Sequence, residues 1–167
     1  TYTITAADRP GAGLACMARA TDPSGAAIEG AATATVMNTD PEVTATVSPD
    51  TAAVGETLTC TATATDVNGD VPTLTYAWST GATGPSYTVV AADNPGDSPT
   101  CTATASDADG GTATTDASAT VANTDPVMVS VSIDAASGAV GDTLTCSATA
   151  ADADGEAPSI TYAWFTG

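Results

Sequence analysis

The stretch VGETLTCTATATDVNGDVPTLTYAW, residues 54–78, decides the fold because it returns at residues 140–164 as VGDTLTCSATAADADGEAPSITYAW. The two segments are identical at 16 of 25 positions, and the differences include exchanges such as Glu56 for Asp142. Self-similarity at a fixed offset is the signature of a tandem array of like domains. The chain is therefore predicted to consist of repeats rather than of one large domain.

The offset between equivalent residues sets the repeat length at about 85 residues. Cys16 and Cys101 are 85 residues apart, and Cys60 and Cys146 are 86 apart. The first 16 residues, TYTITAADRPGAGLAC, align with SYTVVAADNPGDSPTC at 86–101. Because residue 1 then lies inside a repeat, the chain is expected to be a window from a longer array. The predicted units are the C-terminal half of one repeat (1–37), a complete repeat (38–122) and the N-terminal half of the next (123–167).

Alternation of apolar and hydroxyl residues predicts strands throughout the complete repeat. Along residues 58–64, leucine, cysteine and alanine alternate with threonine, the period-2 pattern of a strand with one buried face. Glycine, proline, asparagine and aspartate separate such segments, and no helical pattern interrupts them. The predicted fold class is all-β, as a β-sandwich. The expected strands lie at Val43–Val47, Leu58–Ala64, Leu74–Trp78, Tyr87–Ala91, Cys101–Ala105 and Ala113–Val121.

The predicted core is thin, because most of the apolar residues are alanine. Hydrophobic residues make up 43% of the chain, but aromatic residues only 4%. Burial stabilises by about 25 cal/mol per Å² of apolar surface, and an alanine side chain offers little area. Some further source of stability is therefore expected.

The four cysteines are the expected source. Cys60 lies on the second strand of the complete repeat and Cys101 on a later strand, as a bridge between two sheets would require; the alternative is four buried free thiols. A disulfide that closes a loop of this length contributes about 4 kcal/mol. It also implies an oxidising compartment, so the protein is predicted to be secreted or displayed at the cell surface. Cys16 and Cys146 are expected to pair with cysteines of neighbouring repeats, or with each other across a subunit contact.

The charge of the chain excludes several classes of partner. Arg9 and Arg19 are the only basic residues beside 20 acidic ones, which gives a formal charge of −18. Such a chain repels phosphate backbones and anionic lipids, so neither nucleic-acid nor membrane-surface binding is expected. No apolar run approaches the roughly 18 residues of a membrane span, and no signal peptide is evident. Cations are the expected ligands.

The residue inventory also argues against catalysis. The chain contains no histidine and no lysine. A Ser-His-Asp or Cys-His site and a lysine Schiff base are therefore excluded. Two carboxylates remain as an acid–base pair, but no aromatic-lined pocket that would hold a sugar between them is indicated. The chain is predicted not to be an enzyme.

A family resemblance follows from these motifs. A cysteine strand, a Tyr-x-Trp strand ending at Trp78, a second cysteine strand and an Asn-x-x-Pro boundary at Asn38–Pro41 resemble bacterial immunoglobulin-like repeats. The Asp-rich loop before Tyr-Ala-Trp is similar to the PKD-like and cadherin-like branch. The resemblance implies tandem immunoglobulin-like (PKD-like) β-sandwich repeats of about 85 residues, with Trp78 packed on the Cys60–Cys101 disulfide. One departure is Pro99, which stands where many immunoglobulin domains carry tyrosine.

The acidic loops are the candidate binding sites. In an immunoglobulin-like topology, the loops Asp66–Asp70 and Asp107–Gly110 and the linker Asn38–Pro41 meet at one end of the domain. Carboxylate and amide oxygens are the ligands that calcium prefers, and calcium sites at linkers are familiar in cadherin-like and PKD-like arrays. The alternative is that aspartate, asparagine and glycine serve only as turn formers. The candidate calcium ligands are Asn38, Asp40, Asp66, Asn68, Asp70, Asp107 and Asp109 at one junction, Asn123, Asp125, Asp152, Asp154 and Glu156 at the next, and Asp22 in the preceding repeat.

These features predict a structural or adhesive role. The expected protein is an extracellular stalk or fibre, stiffened by calcium between its domains. Its partners are neighbouring repeats of the same polypeptide, or identical chains in a fibre whose complementary half-repeats complete one another. The alternative is an accessory module or spacer of a secreted enzyme that binds carbohydrate or protein.

Overall fold

The computed structural model describes residues 1–166, and all of the regular structure in that range is β. Most strand pairs are antiparallel. In the same range, no helix is long and apolar enough to cross a membrane. The strands are β1 (Gly13–Thr21), β2 (Ala27–Thr35), β3 (Glu42–Ser48), β4 (Thr51–Ala52), β5 (Thr57–Thr65), β6 (Thr73–Trp78), β7 (Ser86–Thr88), β8 (Thr100–Ser106), β9 (Thr112–Ser118), β10 (Thr120–Val121), β11 (Val127–Ile133) and β12 (Cys146–Ala151).

The central part of the chain forms two three-stranded antiparallel sheets, with strand orders β3-β5-β7 and β6-β8-β9. Because successive side chains of a strand point to opposite faces of the sheet, the alternation in the sequence places apolar residues on one face and hydroxyl residues on the other. On β5, Leu58 and Cys60 are buried, while the threonines that alternate with them are exposed. Threonine hydroxyls also meet across strands on the outer face, as in the 2.9 Å pair of Thr44 and Thr63. The apolar faces of the two sheets supply the core.

A disulfide joins the two sheets through the middle of this core. Cys60 on β5 and Cys101 on β8, the pair expected from the repeat, are bonded with their Cα atoms 6.3 Å apart. Leu58, Val89 and the disulfide itself are completely buried, and the remaining core residues are mostly small. The core is therefore as thin as the composition predicts, and the disulfide occupies its centre.

Trp78 at the end of β6 is the largest side chain of this core. It is 4% exposed and belongs to the same buried cluster as Cys60 and Cys101. Its indole Nε1 donates a hydrogen bond to the carbonyl of Gly84 at 3.1 Å, and its ring centroid lies 5.6 Å from that of Tyr87. A buried indole needs such a partner for its N–H. Trp78 is thus a packing residue.

Two of the expected strands differ from the observed ones. The strand expected over Tyr87–Ala91 ends at Thr88, because the carboxylate of Asp93 accepts the Val90 N–H at 2.8 Å and turns the chain. The strand expected over Ala113–Val121 is divided into β9 and β10, since the Ala119 N–H bonds to Pro99. After this break, β10 pairs in parallel with β4, which lies between two of the expected strands.

The terminal segments repeat the strand pairs of the central sheets. In the β1–β2 hairpin Cys16 lies opposite Ala32, just as Cys101 lies opposite Ala117 in β8–β9. Likewise β12 pairs with β11 in the way that β5 pairs with β3. Within the described residues, Cys16 and Cys146 are free thiols, so their disulfide pairing with other repeats stays a prediction.

Candidate cation site at the repeat junctions

The linker after β2 and two acidic loops meet at one end of the central sandwich. We call this the first junction; it comprises the linker 38–41, the β5–β6 loop 66–70 and the β8–β9 loop 107–111. The Asn38 Nδ2 donates a hydrogen bond to Asp107 Oδ2 at 2.9 Å, and the Thr39 N–H donates to Asn68 Oδ1 at 2.9 Å. Each loop is thus tied to the linker by an amide side chain.

The loops take their shape from aspartate side chains that accept backbone N–H groups. Asp66 Oδ1 accepts from the Asn68 N–H at 2.6 Å, and Asp107 Oδ1 accepts from Asp109 and Gly111 at 2.9 and 2.7 Å. Gly110 follows at a φ of 94°, which favours glycine. Turn formation therefore accounts for Oδ1 of Asp66 and Oδ1 of Asp107, the first residues of the two loops. This agrees with the alternative that these residues serve as turn formers.

Turn formation does not account for the other oxygens. Asn38 Oδ1, Asp66 Oδ2 and Asp70 Oδ2 are buried and have no hydrogen-bond partner among residues 1–166. A buried oxygen without a partner raises the free energy of the folded chain, so such atoms are rare in native proteins. All three belong to the first junction. They are the atoms that a cation or an ordered water would satisfy.

Gly111 lets the linker and the β8–β9 loop approach closely. A Cβ at this buried glycine would lie 2.3 Å from Asp107 Oδ2 and 2.8 Å from both Asn38 Nδ2 and Asp40 Oδ1. Any side chain at position 111 would displace these groups. The absence of a side chain at Gly111 therefore allows Asp107, Asn38 and Asp40 to lie close together. Asp40 is thereby located beside Asp107, although its residue is exposed overall.

The first junction is strongly negative, and the pKa of Asp109 reflects this, whereas hydrogen bonds determine the pKa shift of Asp107. The pKa of Asp109 is raised by partial desolvation and then by the carboxylates of Asp70 and Asp107, while Arg9 opposes the shift. The pKa of Asp107 is lowered, chiefly by the hydrogen bond from Asn38 and further by backbone N–H groups. The carboxylate of Asp109 therefore interacts with those of Asp70 and Asp107.

Arg9 is a component of the first junction that the sequence analysis missed. Its Nη1 lies 2.9 Å from Asp70 Oδ1, although Arg9 belongs to the preceding half-repeat. Its loop is held by the Tyr2 hydroxyl, which donates to the Asp8 carboxylate at 2.7 Å, and by the Thr5 N–H, which donates to the same group at 2.9 Å. The sequence does contain a signal for this loop, though not for its contact with Asp70: a tyrosine is followed six residues later by aspartate, and the pair recurs at the 85-residue offset as Tyr87 and Asp93.

The hydrogen bond between Tyr87 and Asp93 is equivalent to that between Tyr2 and Asp8, and it can be tested by mutation. The Tyr87 hydroxyl donates to Asp93 at 2.5 Å, and desolvation and this hydrogen bond raise its pKa above the ordinary 10.0. We expect Tyr87→Phe to lower the free energy of unfolding by about 1.5 kcal/mol at pH 7. Because the folded-state pKa is raised, the contribution is complete below pH 10 and is lost as the pH rises through the folded value. Urea unfolding from pH 7 to 11 should therefore show the difference shrinking, and a constant difference would contradict it. Tyr162→Phe is the control.

The second junction consists of the linker 123–126 and the β12 loop 152–156, and it repeats part of the first. The Thr124 N–H donates to Asp154 Oδ2 at 2.6 Å, as Thr39 does to Asn68, and the Thr124 hydroxyl donates to Asp154 Oδ1 at 3.0 Å. The Asp154 N–H in turn donates to Asp152 Oδ1 at 2.9 Å. Asn123 instead bonds through Nδ2 to the carbonyl of its neighbour, and Asp125 and Glu156 are exposed.

Asp22 belongs to neither junction. It lies in the β1–β2 turn, at the far end of the hairpin from the linker, where its Oδ1 accepts N–H groups from Ser24 and Ala26 at 2.8 and 3.0 Å. Across residues 1–166, no three acidic or cysteine side chains stand close enough together to hold a metal ion. Coordination at the first junction would therefore need amide oxygens and small side-chain rotations in addition to carboxylates.

Comparison with known proteins adds no identification. Neither protein-family models nor curated proteins give a match to this chain. Its function must therefore be argued from the repeat, the disulfide and the geometry of the junctions.

Proposed function

We propose that the chain is part of a secreted or cell-surface structural protein, in which tandem immunoglobulin-like (PKD-like) domains form a stalk or an extracellular fibre. The strand orders β3-β5-β7 and β6-β8-β9, bridged by a disulfide from β5 to β8, support this assignment. The buried Trp78 supports it as well. Trp78 lies on β6, which comes between the two cysteine strands in the sequence, and immunoglobulin domains also pack a tryptophan from this strand against the disulfide. The disulfide is also consistent with an oxidising environment outside the cell.

We infer that calcium binds at the junctions and stiffens them. The observation that carries this inference is the set of three buried oxygens without partners, Asn38 Oδ1, Asp66 Oδ2 and Asp70 Oδ2. Calcium takes about six to eight oxygen ligands at about 2.3–2.6 Å, from carboxylates, amides, backbone and water. Asp40, Asp107 and Asp109 are nearby sources of the remaining ligands. The same residues also form turns, and turn formation leaves these three atoms unsatisfied.

The mechanical role follows from the charge of the junction. Without a cation, the carboxylates of the linker and the two loops repel one another, and this repulsion favours release of the linker from the loops. A divalent cation shared by linker and loops would replace the repulsion with bonds across the junction. An array of such junctions would extend and stiffen when calcium is present, as a stalk or fibre outside the cell requires.

Chelation is expected to destabilise the protein. Calcium at 100 times its dissociation constant should raise the free energy of unfolding by about 2.7 kcal/mol, because only the folded junction binds it. Scanning calorimetry in EDTA and in CaCl₂, at matched ionic strength, measures the difference as a shift of the melting temperature. Identical melting curves in the two buffers would contradict the proposal.

Gly111→Ala tests the location of the site without changing any charge. Because its Cβ would displace Asp107, Asn38 and Asp40, the variant should lose most of the calcium-dependent shift. Gly30→Ala is the matched control, since a Cβ there would meet nothing within 4 Å and the wild-type shift should persist. A full shift in the Gly111 variant would exclude the first junction as the binding site.

A further inference from the structure

The two junctions differ in charge at two matched positions. In the loop Ala-Ala-Asp-x-Pro-Gly, the variable residue is Arg9 before the first junction and Asn94 before the second. In the loop that caps the linker, Asn68 of the first junction is replaced by Asp154 in the second. The other matched acidic positions keep their charge: Asp40 and Asp125, Asp66 and Asp152, Asp70 and Glu156.

The first junction contains a cation of its own. The guanidinium of Arg9 reaches from the preceding half-repeat to Asp70, which is largely buried with its side chain 19% exposed. The residue that caps the linker, Asn68, is neutral. An arginine is permanently charged, so this contribution does not depend on solution conditions.

Among residues 1–166, the second junction has no such cation, and it contains a buried carboxylate instead. Asp154 is 3% exposed, and its carboxylate accepts hydrogen bonds from the neutral N–H and hydroxyl of Thr124. Asn94 bonds within its own loop, its N–H donating to Asp97 at 2.9 Å. The two loops are in contact, because a Cβ at Gly155 would lie 3.4 Å from the Ala91 carbonyl oxygen. A buried carboxylate without a cationic partner raises the free energy of the folded state.

We propose that Arg9 lowers the affinity of the first junction for an external divalent cation. At the first junction Arg9 neutralises part of the charge that a bound ion would otherwise neutralise, whereas Asn94 brings no charge to the second junction. At the matched positions the second junction is more negative by two charges, one from Arg to Asn and one from Asn to Asp. This inference rests on the proposed calcium function and assigns a tuning role to a residue of the preceding repeat.

Arg9→Asn tests the inference by giving the first junction the residue of the second. The variant should bind calcium at the first junction with an association constant about five times that of the wild type, because a positive charge beside the ion is removed. Isothermal titration calorimetry at fixed ionic strength measures this constant. Arg19→Asn is the matched control, because it changes the net charge equally while Arg19 lies on the β1–β2 hairpin beside Glu29. The control should change the association constant less than twofold. Arg9→Lys keeps the charge and should behave like the wild type.

The outcomes separate this inference from the proposed function. Calcium binding of equal affinity in R9N and R19N would overturn the tuning role and leave the proposed function intact. Absence of calcium binding in the wild type and in both variants would overturn both. Binding that is detectable only in R9N would support the tuning role. Because the Arg9 side chain is 65% exposed, its replacement does not disturb the core.

Discussion

Replacing Cys60 and Cys101 with alanine is expected to lower the free energy of unfolding of the central sandwich by about 4 kcal/mol. The bond closes a loop between residues 41 positions apart, and cross-linking such a loop restricts the unfolded chain by about that amount. A typical domain is stable by only about 5–15 kcal/mol, and this core contains few large side chains. Urea denaturation followed by Trp78 fluorescence measures the loss.

The free cysteines provide the control for this experiment. Cys16 is exposed and Cys146 half-buried, and both are free thiols among the described residues. Their double replacement by alanine should change the free energy of unfolding of the central sandwich by less than about 0.5 kcal/mol. A loss below about 1 kcal/mol in the Cys60/Cys101 variant would mean that packing, rather than the disulfide, stabilises the sandwich.

Trp78→Ala is expected to cost about 3–5 kcal/mol, the range for removing a large aromatic side chain from a core. The indole is 4% exposed, contacts the disulfide cluster and bonds to Gly84. The surrounding side chains are too small to fill the space that it leaves. Urea unfolding followed by circular dichroism measures the change, since the variant lacks the buried fluorophore.

Trp164 is the matched control, because it ends the same Tyr-Ala-Trp motif in the following half-repeat. It is 57% exposed, so Trp164→Ala should change the stability by less than about 1 kcal/mol. Equal losses in the two variants would contradict the view that Trp78 is a core residue of one closed sandwich.

Much of the fold follows from local pattern. The threonine alternation around Leu58 and Cys60 indicates a strand with one buried face, and the positions of Cys60 and Cys101 on separate strands of one repeat indicate a bridge between the sheets. β5, β8 and the disulfide accordingly lie as expected. The linker and the loops also meet, as the contacts of Asn38 with Asp107 and of Thr39 with Asn68 demonstrate.

The remaining features depend on contacts that periodicity does not encode. β7 ends early because Asp93 accepts the Val90 N–H, and the β4–β10 pair depends on how the chain crosses between sheets. The contact of Arg9 with Asp70 spans 61 residues and two repeats, so no local pattern indicates it. Burial of Asp154 is likewise invisible in an acidic sequence, where it resembles any other turn residue.

Small-angle X-ray scattering of the chain in CaCl₂ and in EDTA, at matched ionic strength, tests most directly whether the junctions are stiffened by calcium. The account predicts a more extended particle with a narrower distribution of interatomic distances in calcium. It also predicts that Gly111→Ala removes this difference while Gly30→Ala retains it. Superimposable scattering curves of the wild-type chain in the two buffers would contradict the account.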